Sequence, residues 1–237
     1  MTRLTQDFSG KRVFVTGGTQ GIGAALVAAF TDAGAEVLTC GRTVTPSPFA
    51  VAADIATDEG RAAIISAVAR LSGPLDILIH NAGTQQALDY ANGTIGEAAD
   101  QEIAVNLVAP IRLTETLLPY MVRGGAICFL TSVLAYKPKT SAPVYCASKA
   151  GLRSFALALR QQLAPQELRV VEIVPPLVAT AMTGGRGRGK ISPERVARAV
   201  LTGLTAGTDR IAIGKAGPAL FLDRWAPRLL SRMMARQ

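Results

Sequence analysis

The sequence predicts an α/β protein, a single doubly wound domain of about seven parallel strands flanked by helices. Three observations carry that expectation. Short apolar runs alternate with longer segments of helical period along most of the chain, the pattern of strand–helix–strand units closing a parallel sheet. The first run leads straight into Gly17-Gly18-Thr19-Gln20-Gly21-Ile22-Gly23 and a helical segment, an order that sets a phosphate at a helix N-terminus. Composition agrees: 237 residues, 49% hydrophobic and 18% charged, supply one large core and require no second domain.

Lys11 to Thr16 reads as a short buried strand and Ala24 to Ala33 as the helix after the turn. Glycines let backbone approach a pyrophosphate, and the helix end offers N–H groups and partial positive charge. Gly17, Thr19, Gln20, Gly21, Ile22 and Gly23 are therefore candidate cofactor contacts. The second strand, Glu36 to Cys40, lacks the acidic residue that would meet ribose hydroxyls and ends in Gly41-Arg42-Thr43. An arginine with no carboxylate nearby suits a 2′-phosphate, which favours NADP(H) and leaves NAD(H) possible.

Thr43 to Phe49 holds two prolines and reads as a loop. A third strand, Ala50 to Ala53, ends at Asp54, and Thr57 is the expected N-cap of a helix reaching about Leu71. Leu75 to His80 is continuously apolar, as a strand buried on both faces should be. It delivers Asn81-Ala82-Gly83, a small hydrogen-bonding turn suited to cofactor ribose. Thr84 to Gly96 is irregular and expected near a substrate mouth, with Gln85 and Gln86 lining it.

Glu97 to Met121 has helical pattern, and Pro110 predicts a kink around Asn106. A strand from Ala126 to Thr131 follows, then a helix from Tyr145 to about Ala164 and a strand from Leu168 to Val174. After Pro175-Pro176, four glycines fall among the eight residues from Thr183 to Lys190. Such a segment cannot hold a stable helix, so about 177–191 is expected to be a mobile substrate loop, with Arg186, Arg188 and Lys190 as its basic members. A helix from Pro193 to Thr205 and a strand from Arg210 to Ile213 complete the alternation. The tail from Ala219 to Arg236 spaces Arg224, Arg228, Arg232 and Arg236 four apart, opposite Leu222, Trp225, Leu229, Leu230 and Met233. This amphipathic basic helix is expected to dock on its own body or a sister subunit rather than on a membrane.

The chemistry concentrates between Ser132 and Lys149. Tyr145 and Lys149 stand four apart on one helical face. A phenol near pKa 10 is a poor acid or base at neutrality, and an ammonium one turn away favours its ionised form. Ser132, at a strand end, offers a hydroxyl to a carbonyl or alcohol oxygen beside that phenol. Together the three describe proton transfer at a carbonyl carbon.

Other chemistries lack material. Cys40, Cys128 and Cys146 are widely spaced and odd in number, against a disulfide framework or thiolate metal site. One histidine, His80, is too little for zinc or a histidine triad, so no metal is expected. The N-terminus has no apolar signal core and no run approaches a membrane span, which predicts a cytoplasmic protein. A net charge of +8 is scattered without any nucleic-acid module, so no nucleic acid is expected.

Thr16-Gly17-x-x-x-Gly21-x-Gly23, Asp54, Asn81-Ala82-Gly83, Asn106, Ser132 and Tyr145-x-x-x-Lys149, in this order and spacing, resemble the short-chain dehydrogenase/reductase family over nearly the whole chain. The runs from Pro143 to Leu163 and from Val174 to Met182 are similar to its bacterial DltE-type oxidoreductases. The resemblance implies a Rossmann-type fold and hydride transfer between a nicotinamide and a small ketone or alcohol, and the apolar Leu134, Pro176, Leu177 and Met182 beside Gln85 and Gln86 suggest a fairly hydrophobic one. Tyr145 would be the general acid/base, Lys149 would bind the nicotinamide ribose, Ser132 would orient the carbonyl, and Asn106 would support a water-linked proton relay. Asp54 would meet the adenine and Asn81 and Gly83 the adenosine ribose, with Ile55, Ala82, Pro175, Val178 and Thr180 completing the cofactor set. Gln85, Ser132, Leu134, Pro176 and Met182 would face substrate, and a homodimer or homotetramer is implied. Pro175-Pro176 replaces the usual Pro-Gly, which keeps a non-catalytic dinucleotide-binding protein as the alternative.

Overall fold

The computed structural model of the chain describes residues 7–93, 95–185 and 187–225, the last four by their backbone alone. Arg186 of the substrate loop and the tail from 226 onward, with Arg228, Leu229, Leu230, Arg232, Met233 and Arg236, lie outside the described residues.

Strands β1 (Arg12–Thr16), β2 (Glu36–Gly41), β3 (Ala50–Ala52), β4 (Leu75–His80), β5 (Met121–Leu130), β6 (Arg169–Val174) and β7 (Arg210–Ala212) form one sheet in the order 3-2-1-4-5-6-7. Every pairing is parallel. Alternate strand residues enter opposite cores, which is why the strands read as unbroken apolar runs. Val13, Val15, Ile77, Ile79, Val171 and Ile173 pack with helices α1 (Gly21–Asp32) and α6 (Pro193–Thr205). Phe14, Leu38, Leu78, Ile127, Phe129 and Val170 pack with α2 (Asp58–Val68), α4 (Ala109–Leu117) and α5 (Pro143–Leu163). The remaining helices are α3 (Gly96–Ile103) and α7 (Ala216–Trp225). The chain direction across the sheet reverses between β1 and β4, and ligands of open α/β sheets bind in the crevice at such a switch.

Thr57 caps α2 as expected, its hydroxyl accepting from Gly60 N at 3.0 Å. Two expectations are corrected. The kink at Asn106 is a five-residue π-helical turn, Ala104–Val108, between α3 and α4. Pro110 has no N–H to give the turn before it, and the ladder slips to the wider register there. The helix stops at Leu117, and β5 starts at Met121 instead of Ala126. A bulge at Gly124 (φ +79°) absorbs the extra residues, since Leu75 pairs Met121 while Ile77 pairs Ala126. Within the loop after Pro176, Val178 bridges Ile191, Ala181–Thr183 forms a short 3₁₀ turn, and Lys190 Nζ donates to Thr183 O.

Candidate active site

β1 and β4 end side by side, and three threonine and asparagine side chains fasten their turns. Thr16 Oγ1 accepts from Asn81 N and Ala82 N, both at 3.0 Å. Asn81 Nδ2 donates to Thr16 O at 2.9 Å and Gly17 O at 3.1 Å. Thr39 Oγ1 accepts from Gly18 N and donates to Val15 O. A Cβ on Gly23 would lie 2.0 Å from Gly17 O and 2.5 Å from Asn81 Nδ2, so only glycine lets α1 start this close to the turn. Gln20, at the head of α1, makes no side-chain cap to the N–H groups that a helix start leaves without intrahelical partners. Thr180 stands against Gly21, its Cγ2 3.0 Å from where a Cβ would be.

A second cluster lies where β4, β5, the π-turn and α5 meet. The extra residue in the π-turn drives Asn106 fully inward, where Nδ2 donates to Thr84 O (2.8 Å) and Ser148 Oγ (3.2 Å) and Oδ1 accepts from Thr84 N (2.9 Å). Lys149 is 3% exposed, donates Nζ to Leu130 O at 2.8 Å, and sits 5.9 Å from the Tyr145 ring centroid. Burial pushes its ammonium down to about 8, against the opposing pull of the Glu102 carboxylate. Gly83 leaves room for both: a Cβ there would come within 3.1 Å of Asn106 Oδ1 and 3.5 Å of Lys149 Nζ. Two residues beyond Leu130, Ser132 heads a 3₁₀ turn (Val133–Ala135) and its Oγ accepts from Leu134 N at 3.1 Å. That bond uses a lone pair and leaves the hydroxyl hydrogen to donate outward.

A family model of short chain dehydrogenases matches residues 11–190. The chain belongs to the short chain dehydrogenase family. It is 34% identical over 218 residues to the uncharacterized oxidoreductase DltE of Bacillus subtilis strain 168, covering 84% of this chain and 86% of that one. A solved short chain dehydrogenase from Burkholderia cenocepacia, in complex with NADP, superimposes with a TM-score of 0.85 at 26% identity, covering 96% of this chain and 98% of the other. The 3-ketoacyl-(acyl-carrier-protein) reductase of Brucella melitensis, complexed with NADH, gives 0.74 at 26% identity over 82% and 90%.

In this short chain dehydrogenase the residues singled out in the sequence divide into groups. Gly17, Gly21 and Gly23 form the turn, with Thr19 leaning on Gly41 and Ile22 half-buried in the first turn of α1. Arg42 is exposed at the end of β2 and makes no hydrogen bond or ion pair among the described residues. Asn81 commits both amide hydrogens to the end of β1 and the glycine turn, donating to Thr16 O and Gly17 O. Asp54 closes a local turn by accepting from Ala56 N, and Ile55 turns its side chain into the core beside α2, leaving only backbone to a ligand. Pro175 and Val178 are buried, Pro176 is half-buried, and Met182 is 37% exposed on the loop. Gln85 and Leu134 are half-buried on the segments after β4 and β5.

Two buried carboxylates escape sequence reasoning. Glu172, on β6, accepts from Thr131 Oγ1 (3.0 Å), Tyr136 OH (2.8 Å) and Arg210 Nε (3.2 Å), with Arg153 Nε at 3.8 Å. The guanidinium of Arg153 also stacks 4.3 Å over the Tyr136 ring. This network ties the segment carrying Ser132 to β6. The only sequence signal was a lone acid inside LRVVEIV. Glu102, the one buried residue of α3, accepts from Gln86 N at 3.0 Å. Among the described residues no three His, Cys, Asp or Glu side chains converge as a metal site, and no helix is long and apolar enough to cross a membrane.

Proposed function

We propose that this oxidoreductase moves a hydride between NADP(H) and a small, fairly hydrophobic ketone or alcohol, with Tyr145 as general acid/base. The observation that carries the reading is the buried Lys149 ammonium beside Tyr145, one turn along α5, bonded to Leu130 O and facing Gly83. The nicotinamide supplies or accepts the hydride when bound. The chain's own residues handle the rest.

Ser132 donates its free hydroxyl hydrogen to the substrate oxygen and holds the carbonyl against Tyr145. In reduction Tyr145 gives its proton to that oxygen as charge develops there; in oxidation it takes the proton back. With its pKa near 8, Lys149 is mostly an ammonium at pH 7, and that charge lowers the cost of the phenolate. One Nζ hydrogen goes to Leu130 O, and two remain for the hydroxyls of a ribose. Asn106, locked by Thr84 and Ser148, keeps the backbone around Lys149 in place.

The cofactor fit rests on the glycine cradle that a Cβ would fill and on the uncapped start of α1, which suit a pyrophosphate. Unpaired Arg42 favours the 2′-phosphate of NADP(H), as does the NADP-bound Burkholderia neighbour; the NADH-bound Brucella reductase keeps NAD(H) as the competing cofactor. Gln85, Leu134, Pro176 and Met182 line the substrate side, with residues 177–191 as its cover. Family membership supports a homodimer or homotetramer.

The test is a fluorescence titration with NADPH and NADH of the wild type and Arg42→Ala, followed by a screen of small ketones. NADPH is expected to bind at least tenfold more tightly than NADH, and Arg42→Ala to remove the difference. Binding of neither nucleotide would overturn the reading; preference for NADH would overturn its cofactor half.

A further inference from the structure

Glu102 lies fully buried one turn before Asn106, and the two side chains hold the same strand of backbone. Asn106 grips Thr84 by its N–H and C=O, and Glu102 Oε1 takes the N–H of Gln86 two residues on. The other carboxylate oxygen, Oε2, is buried with no hydrogen-bond partner among the described residues. A buried half-satisfied carboxylate is costly, and a nearby opposite charge is what offsets such a cost. Among the described residues the cation that acts on it is Lys149, whose Nζ stands beside Gly83 at the head of the same backbone segment.

We propose that Glu102 is a positioning residue of this site, holding the Gln85–Gln86 mouth through Oε1 and setting the charge of its unpartnered Oε2 against the Lys149 ammonium. This rests on the dehydrogenase reading given above, although the coupling itself exists without cofactor. Burial pushes Glu102 up, and the Gln86 N–H and Lys149 pull it back. Burial pushes Lys149 down to about 8, and Glu102 holds it from falling further. The neighbouring titratable groups on α5 and β4 besides Tyr145 are neutral near pH 7: Cys146 is pushed up by burial and by Glu102, and His80 is pushed down by burial to about 3. Without the carboxylate charge, Lys149 therefore deprotonates at lower pH, and Tyr145 loses its cation within the working range.

The experiment is an NMR titration of ¹³Cε-lysine in the cofactor-free protein, whose six lysines are assigned with Lys149→Arg. Glu102→Gln keeps an acceptor for Gln86 and removes only charge. The Lys149 midpoint is expected near 8 in the wild type and lower by about one pH unit in Glu102→Gln; an unchanged midpoint overturns the proposal. Should Glu102→Gln not fold, the reciprocal measurement decides: ¹³Cδ-glutamate titration of Lys149→Met must show the Glu102 midpoint raised, and an unmoved one overturns the proposal equally. The alkaline limb of ketone reduction should move with the lysine midpoint. A midpoint shift without turnover in either protein upholds the coupling and counts against the reductase reading instead.

Discussion

His80, the one histidine of the chain, makes a quantitative prediction about acid stability. It is 2% exposed, stacks 4.9 Å from Phe129, and pairs Nε2 with Thr114 Oγ1 at 2.9 Å. The Thr114 hydroxyl already donates to Pro110 O at 2.7 Å, so Nε2 must be the donor and Nδ1 the unprotonated nitrogen. Nδ1 is buried without a partner among the described residues, and a proton there would add charge to an apolar site near Lys149. Burial, with Lys149 adding to it, accordingly pushes the imidazole down to about 3. Because the folded value lies below the unfolded one near 6.5, the unfolded chain takes up the proton first, and stability falls as pH drops from 6.5 toward 3. At pH 4 this single group costs about 3 kcal/mol relative to pH 7. His80→Phe keeps the stacking and orphans no donor, since Thr114 retains Pro110 O. Urea unfolding of both proteins at pH 7 and pH 4 should show the wild type losing about 3 kcal/mol more than the variant. Equal losses, or an imidazole NMR signal titrating above pH 5, would refute the reasoning.

Two further perturbations separate the turn from the scaffold. Gly23→Ala should weaken NADPH binding at least tenfold, because its Cβ meets Gly17 O at 2.0 Å, whereas Gly217→Ala, with no atom within 4 Å, should leave affinity unchanged in the same titration. Glu172→Gln strips the counter-charge from half-exposed Arg153 and Arg210, and should cost about 2 kcal/mol in urea unfolding, with a raised KM for ketone because the Ser132 segment is anchored through Tyr136.

The sheet was legible because strands buried on both faces have no room for polar alternation: LDILIH reads as a strand whatever surrounds it. Ser132, Tyr145 and Lys149 stand out as candidates for a different reason, since their order, spacing and chemistry match a motif set that runs along the whole chain. What stayed hidden depended on distant partners. That the Asn81 amide holds Gly17 O across 64 residues becomes visible only once β1 is laid beside β4. The burial of Glu102 and Glu172 follows from loops and helices packing over them, and a carboxylate in sequence carries no mark of that. The π-turn at Asn106 is a choice of hydrogen-bond register, which Pro110 permits but tertiary packing selects. The early start of β5 turned on Gly124, whose positive φ sets a bulge in the stretch between what reads as a helix end and a strand start.

The central claim, that Tyr145 transfers the proton, is tested most directly by Tyr145→Phe. We would measure its NADPH affinity and its rate of NADPH oxidation with the best-reduced member of a panel of small apolar ketones and α-diketones. The account predicts affinity within about threefold of wild type and a rate lower by at least about 100-fold. A variant that binds NADPH normally and reduces the ketone at close to the wild-type rate would contradict it.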